Sequence, residues 1–112
     1  MTPHPVAGRY AQLQTTIDSR ERAAELVRSA VDAGLAACGQ VLGPIESVYR
    51  WKGRVEEAGE WLCLFKTRAA LAERLERFLL ERHPYEVPEI VTLSVERTSE
   101  AYGDWIESET QD

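Results

Sequence analysis

The 112-residue chain has no apolar run near the ~20 residues of a membrane-spanning helix, and its opening MTPHPVAG has neither the basic end nor the apolar centre of a signal peptide. Residues 1–8 are therefore expected to be a flexible start, and the protein to be cytoplasmic with no membrane partner. Basic side chains are in the minority, 13 against 19 acidic, for a net charge of -6. Such a balance repels phosphate backbones unless the cations cluster on one face, so a nucleic-acid partner is not expected. Cysteine is scarce. The two present, Cys38 and Cys63, make no disulfide framework, and a cytosolic chain keeps them reduced. Repeats, low-complexity tracts, a G-x-S-x-G elbow, a P-loop and C-x-x-C or H-x-x-x-H spacing are all absent. These absences remove the common routes to an activated nucleophile or a metal site within one segment.

What is there fits one compact domain, expected over 9–110. RYAQLQTTI reads as a half-buried strand, Arg9 to Ile17. Asp18 and Ser19 offer caps, and Ala23, Leu26, Val27, Ala30 and Val31 then recur at helical spacing up to Gly34. From Leu35 to Thr67 the chemistry is that of strands, interrupted at Gly43-Pro44 and at a hairpin tip, Trp51-Lys52-Gly53-Arg54. Leu71, Leu75, Phe78, Leu79 and Arg82 mark a second helix, which His83-Pro84 ends. A strand from Glu89 to Arg97 and a helix from Ser99 to about Ser108 close the chain, with Gly103 interrupting that last helix. The order is β-α-β-β-α-β plus a C-terminal helix. It predicts an α+β, ferredoxin-like sandwich with both main helices on one face of an antiparallel sheet.

The middle hairpin is too long for such a core. Arms of about 14 residues reach roughly 45 Å at ~3.3 Å per residue, whereas helices of that length span about 21 Å. The overhang holds Tyr49 and Trp51 and exposes strand edges, so a partner subunit is its expected cover. The alternative is a hairpin bulged at Gly43-Pro44 that folds back on its own sheet.

At these spacings "LAAC" (Leu35 to Cys38), "ESVYRWKGRVE" (Glu46 to Glu56), "LFKT" (Leu64 to Thr67) and "HPYEVPEI" (His83 to Ile90) resemble the CutA divalent-cation tolerance proteins. The resemblance runs from about Gln12 to Trp105. It implies a homotrimer similar in architecture to the PII signalling proteins, with tolerance to divalent ions, copper in particular, as the associated role. Gly39-Gln40 departs from the family's larger apolar residue and Asn. "TTID" lacks a proline common after the first strand, and "TLSVERT" lacks another near Ser94.

Cys38 and His83 are the candidate metal ligands, Cys38 because a thiolate suits Cu(I). One thiolate is not a site. With Lys52-Gly53 as the turn, Cys63 faces about Leu42 and lies over 10 Å from Cys38, too far for a disulfide. His83 ends a helix, whose dipole favours the protonated ring over a ligating one. Lys66, on a central strand, needs a carboxylate, with Glu89 or Glu60 as the expected partner. The stiff HPYEVPEI loop places Tyr85, Glu86 and Glu89 between two prolines, as a site requires. The leading expectation is a trimeric, metal-responsive binding protein whose subunit clefts are lined by Tyr49, Trp51, Lys66, His83, Tyr85 and Glu89. The alternatives are an enzyme using His83 or Tyr85 as acid-base and Lys66 as anion clamp, and a scaffolding trimer presenting Trp105 and the hairpins.

Overall fold

The computed structural model describes residues 8–111, so most of the expected flexible start, residues 1–7, lies outside the described residues. Strand β1 (Tyr10–Ile17) leads into helix α1 (Arg20–Asp32), and β2 (Cys38–Trp51) and β3 (Arg54–Arg68) form the hairpin. After a single 3-10 turn come α2 (Ala72–Arg82), β4 (Ile90–Val95) and α3 (Glu100–Ser108). All pairings are antiparallel, in the order β2-β3-β1-β4. This is the ferredoxin-like βαββαβ arrangement with a C-terminal helix, as the residue pattern predicts.

Local chemistry accounts for the boundaries. Ser19 Oγ accepts a 3.2 Å bond from the Arg22 N–H at the start of α1. Gly34, at φ +75, turns the chain out of that helix in a conformation that costs other residues a Cβ clash. Pro84 keeps His83 extended (φ -77, ψ 136), which stops α2 at Arg82. The final strand is shorter than expected, leaving Glu89 and Arg97 just outside it. Gly103 does not interrupt α3. A Cβ there would lie 2.7 Å from the Tyr10 hydroxyl, so the missing side chain is what lets the helix sit on β1.

Pleating gives the sheet two unlike faces. One carries Leu13, Phe65 and Cys63, all wholly buried beneath α1 and α2 with Leu26, Leu75 and Leu79. Full burial of each large apolar side chain contributes about 1.5–3 kcal/mol. The other face carries Gln12, Gln14, Leu64, Lys66 and, at the edges, Cys38, Leu42, Val91 and Leu93. Among the described residues α3 covers part of it, through a small cluster of Tyr10, Ala37 and Ile106. Leu42, Val91 and Leu93 remain exposed.

The ladder between β1 and β3 ends at Ile17 and Trp61. Beyond that row the hairpin pairs only with itself, from Ile45 opposite Glu60 to Trp51 opposite Arg54. The overhang is therefore real, and Val48, Tyr49, Trp51 and Val55 on it are exposed. At its tip Lys52 (φ 49) and Gly53 (φ 80) form the two left-handed positions of a type I′ turn. A bulge shifts the register between Leu42 and Ile45, where the Gly43-Pro44 bond is cis. It bends the hairpin without folding it back on the sheet. Because of it Cys63 faces Val41, not Leu42, so Cys38 and Cys63 lie an odd number of residues out of row and on opposite faces.

Candidate functional site

The HPYEVPEI loop packs against the base of the overhang. His83 follows α2 directly and is 9% exposed. Its Nε2 lies 2.9 Å from the Thr16 carbonyl, and its Nδ1 accepts a 3.2 Å bond from the Tyr85 N–H. An acceptor on one ring nitrogen and a donor on the other require the neutral tautomer with the proton on Nε2. Burial lowers the His83 pKa below the usual imidazole value, outweighing the Thr16 carbonyl and the carboxylates of Glu60 and Asp18, which act to raise it. Burial and the acceptor role of Nδ1 thus favour the neutral ring over the protonated one expected from the helix end.

Tyr85 stands edge-on to His83 with ring centroids 4.7 Å apart. Its hydroxyl donates a 2.8 Å bond to Glu60 Oε2. Glu60 is 6% exposed, in the row where the hairpin leaves the sheet. Burial, followed by the Glu60 bond, raises the Tyr85 phenol far above its usual range, with a smaller contribution from Tyr49. Thr16, His83, Tyr85 and Glu60 are therefore one polar network, running from β1 through the loop to β3.

Lys66 is elsewhere. It lies in the row of Gln12 and Cys38 on the open face, and its Nζ donates a 3.2 Å bond to Gln40 Oε1. Neither expected partner takes it. Glu60 serves Tyr85, and Glu89 accepts a 3.2 Å bond from Gln14. A half-buried ammonium at the rim of an open face keeps water as solvent, so the buried carboxylate expected for it is not required. Cys38 is half-buried on the same face, in contact with the Tyr102 hydroxyl. Cys63 is buried against the Ala23 carbonyl, and burial alone raises its thiol to about 11.

The six expected ligand-binding residues thus fall into three places in one chain. His83 and Tyr85 belong to the buried network, with Tyr49 near it. Lys66 and Glu89 face the open side of the sheet, and Trp51 sits at the hairpin tip. The two expected metal ligands are not brought together either. His83 is held at Thr16, four residues and about 13 Å along β1 from the row of Cys38. Among the described residues no group of three or more His, Cys, Asp or Glu side chains could hold a metal ion. Among the described residues of one chain, Lys66 is likewise apart from His83 and Tyr85.

The family model for the CutA1 divalent ion tolerance protein matches residues 11–109. The chain belongs to that family. It is 36% identical over 106 residues to Protein CutA of Mus musculus, covering 95% of this chain but 60% of that one. It is 37% identical over 95 residues to the divalent-cation tolerance protein CutA of Thermus thermophilus, 85% of this chain and 92% of that one. The chain therefore spans about three fifths of the mouse relative and nearly all of the bacterial one. Among solved structures, CutA from Synechococcus elongatus superposes with a TM-score of 0.88 at 36% identity, covering 94% of this chain and 93% of that one. CutA1 from Oryza sativa gives 0.89 at 31%, covering 93% and 95%.

Glu60 as the buried acceptor for Tyr85, and Gln40 as the partner of Lys66, were not legible in the residue pattern. The only available signal for Glu60 is its place directly beyond the Gly43-Pro44 break, opposite Ile45.

Proposed function

We propose that the chain acts in divalent-cation tolerance as a PII-like homotrimer in the cytoplasm, binding a small ligand or a metal ion such as copper in clefts between subunits without turnover. The observation that carries this reading is the hairpin overhang. Its outer half pairs only with itself and leaves Val48, Tyr49, Trp51 and Val55 in water. The open sheet face adds Leu42, Val91 and Leu93. Apolar surface and strand edges of this extent are association sites. Closure by a threefold axis would give every copy the same cover.

Family membership supports the tolerance role. The scatter of the candidate residues within one chain supports a site shared between chains, because Trp51 and Lys66 meet no common ligand unless a second copy contributes. A metal contact through Cys38 likewise requires ligands from a neighbour. Light scattering on a size column tests the assembly. A mass of three times the 12.6 kDa chain, unchanged on dilution, is the expected result. A stable monomer would leave no subunit cleft and would overturn the reading.

A further inference from the structure

The helical layer carries a groove on the opposite side of the sheet from the open face assigned above to association. Arg22, Glu25, Leu26 and Ser29 stand at positions i, i+3, i+4 and i+7 of α1, so one strip of that helix lines it. Arg82, the last residue of α2, and Pro84 line it from the other side, and the buried side chains of Ile17 and Leu26 give it an apolar floor. Its volume is about 420 Å³, within the ~300–1,000 Å³ of small-molecule sites. The polar groups form two poles. The Arg82 guanidinium lies 3.6 Å from the centre of the Phe78 ring, and its Nη1 donates a 3.4 Å bond to the Phe78 carbonyl. This stacking holds the fork in one plane and leaves most of its five donors unused. The ion pairs of Arg82 with Glu81 and of Arg22 with Asp18 are both 3.6 Å long and lie in solvent, where such pairs are weak enough for a ligand carboxylate to compete. The acceptor pole is on α1. Glu25 makes no salt bridge among the described residues, and Ser29 Oγ donates its hydrogen to the Leu26 carbonyl at 2.8 Å, which leaves it lone pairs to offer a ligand.

We propose that this groove binds a zwitterionic dipeptide with apolar side chains. Its carboxylate lies on Arg82, its ammonium on Glu25 and its peptide N–H toward Ser29 Oγ, with the side chains over Leu26, Ile17 and Pro84. Three features select this chemistry. A ligand charged with one sign alone would satisfy one pole and meet its own sign at the other. The poles stand on different helices, whose axes pack about 8–10 Å apart, so charges separated by a peptide unit match them better than the two that share one carbon in a free amino acid. A neutral apolar ligand would strip water from Arg82 and Glu25 without replacing it. The groove is complete within one chain and lies away from the open sheet face and the outer half of the hairpin, so this inference does not rest on the trimer.

Titration calorimetry of the full chain with leucyl-leucine, N-acetyl-leucyl-leucine, leucyl-leucinamide and free leucine tests it. The unblocked dipeptide is expected to saturate one site per chain at millimolar concentration, with each blocked form about tenfold weaker or worse, the scale of one charge-assisted hydrogen bond. Glu25→Gln is expected to weaken the dipeptide by about tenfold without weakening the acetylated form, and Arg82→Gln to do the same without weakening the amide. Melting temperatures should stay within a few degrees, as for other surface substitutions. Failure of the dipeptide to saturate, or binding that both variants retain in full, would overturn the site. Equal affinity for blocked and unblocked dipeptides would overturn the two poles, and free leucine binding as tightly as the dipeptide would overturn the span between them. The comparison of blocked and unblocked ligands uses the unaltered protein and stands even if a variant misfolds.

Discussion

The Tyr85 hydroxyl and the Glu60 carboxylate meet at 2.8 Å, joining the loop after α2 to the point where the hairpin leaves the sheet. This bond gives a nearly buried charge its phenol donor. Tyr85→Phe keeps the ring against His83 and removes only that donor, leaving Glu60 Oε2 without it. The expected loss of stability is about 1–3 kcal/mol. Adding Glu60→Gln, which removes the charge, is expected to return part of the loss. Denaturant midpoints for the two single variants and the double variant check this. Additive effects would mean that the two groups are not coupled.

His83 makes stability depend on pH in a defined direction. Its pKa is lowered in the folded chain, chiefly by burial, from the ordinary 6.5. The unfolded chain therefore binds the proton more readily. Stability from the neutral ring is complete above pH 6.5, falls as pH drops below it, and levels off below the folded value. Protonation at Nδ1 would also break the bond from the Tyr85 N–H. Melting temperatures at pH 7.5 and 5.5 should differ more in the parent than in His83→Gln. Equal differences would assign the acid sensitivity to other groups.

Element order, the helix caps and the overhang were legible because each rests on local chemistry: Ser19 before an amphipathic run, Pro84 after one, Gly53 at a turn. Partners across the sheet were not. Whether Gln40 shares a face with Lys66 depends on the register of β2, which the bulge shifts by one residue, while Glu60 lies six residues from Lys66 along β3 and Glu89 precedes β4 beside Gln14. The same shift places Cys38 and Cys63 on opposite faces. The protonation of His83 was misjudged because a helix end is visible in sequence and burial is not.

Thr15 is wholly buried opposite Cys63 and Ile90, and its hydroxyl has no hydrogen-bond partner among the described residues. Valine has nearly the same shape and a higher preference for strands. Thr15→Val should raise stability by roughly 1 kcal/mol, since an unsatisfied buried hydroxyl costs about 1–3 kcal/mol. A denaturant midpoint below that of the parent would show that the hydroxyl has a partner in solution, with water the first candidate.

Gly39 sits where α1 presses on β2. A Cβ built there would lie 2.4 Å from Val27 Cγ1, well inside contact distance, on the core side of the row shared with Phe65. The backbone at Gly39 is not left-handed, so space and not φ is what requires glycine. Val27 and Gly39 therefore act as a size-matched pair. Gly39→Ala alone should cost about 1–3 kcal/mol through overpacking, and Val27→Ala alone a comparable amount through the cavity it opens. In the double variant the new methyl group occupies part of the space that Val27 vacates, so its loss should be smaller than the sum of the two single losses by at least ~0.5 kcal/mol, the lower end of coupling for residues in contact. A double-mutant cycle by denaturant unfolding reads that difference directly. A sum equal to the double loss would mean that α1 shifts bodily to admit the methyl group.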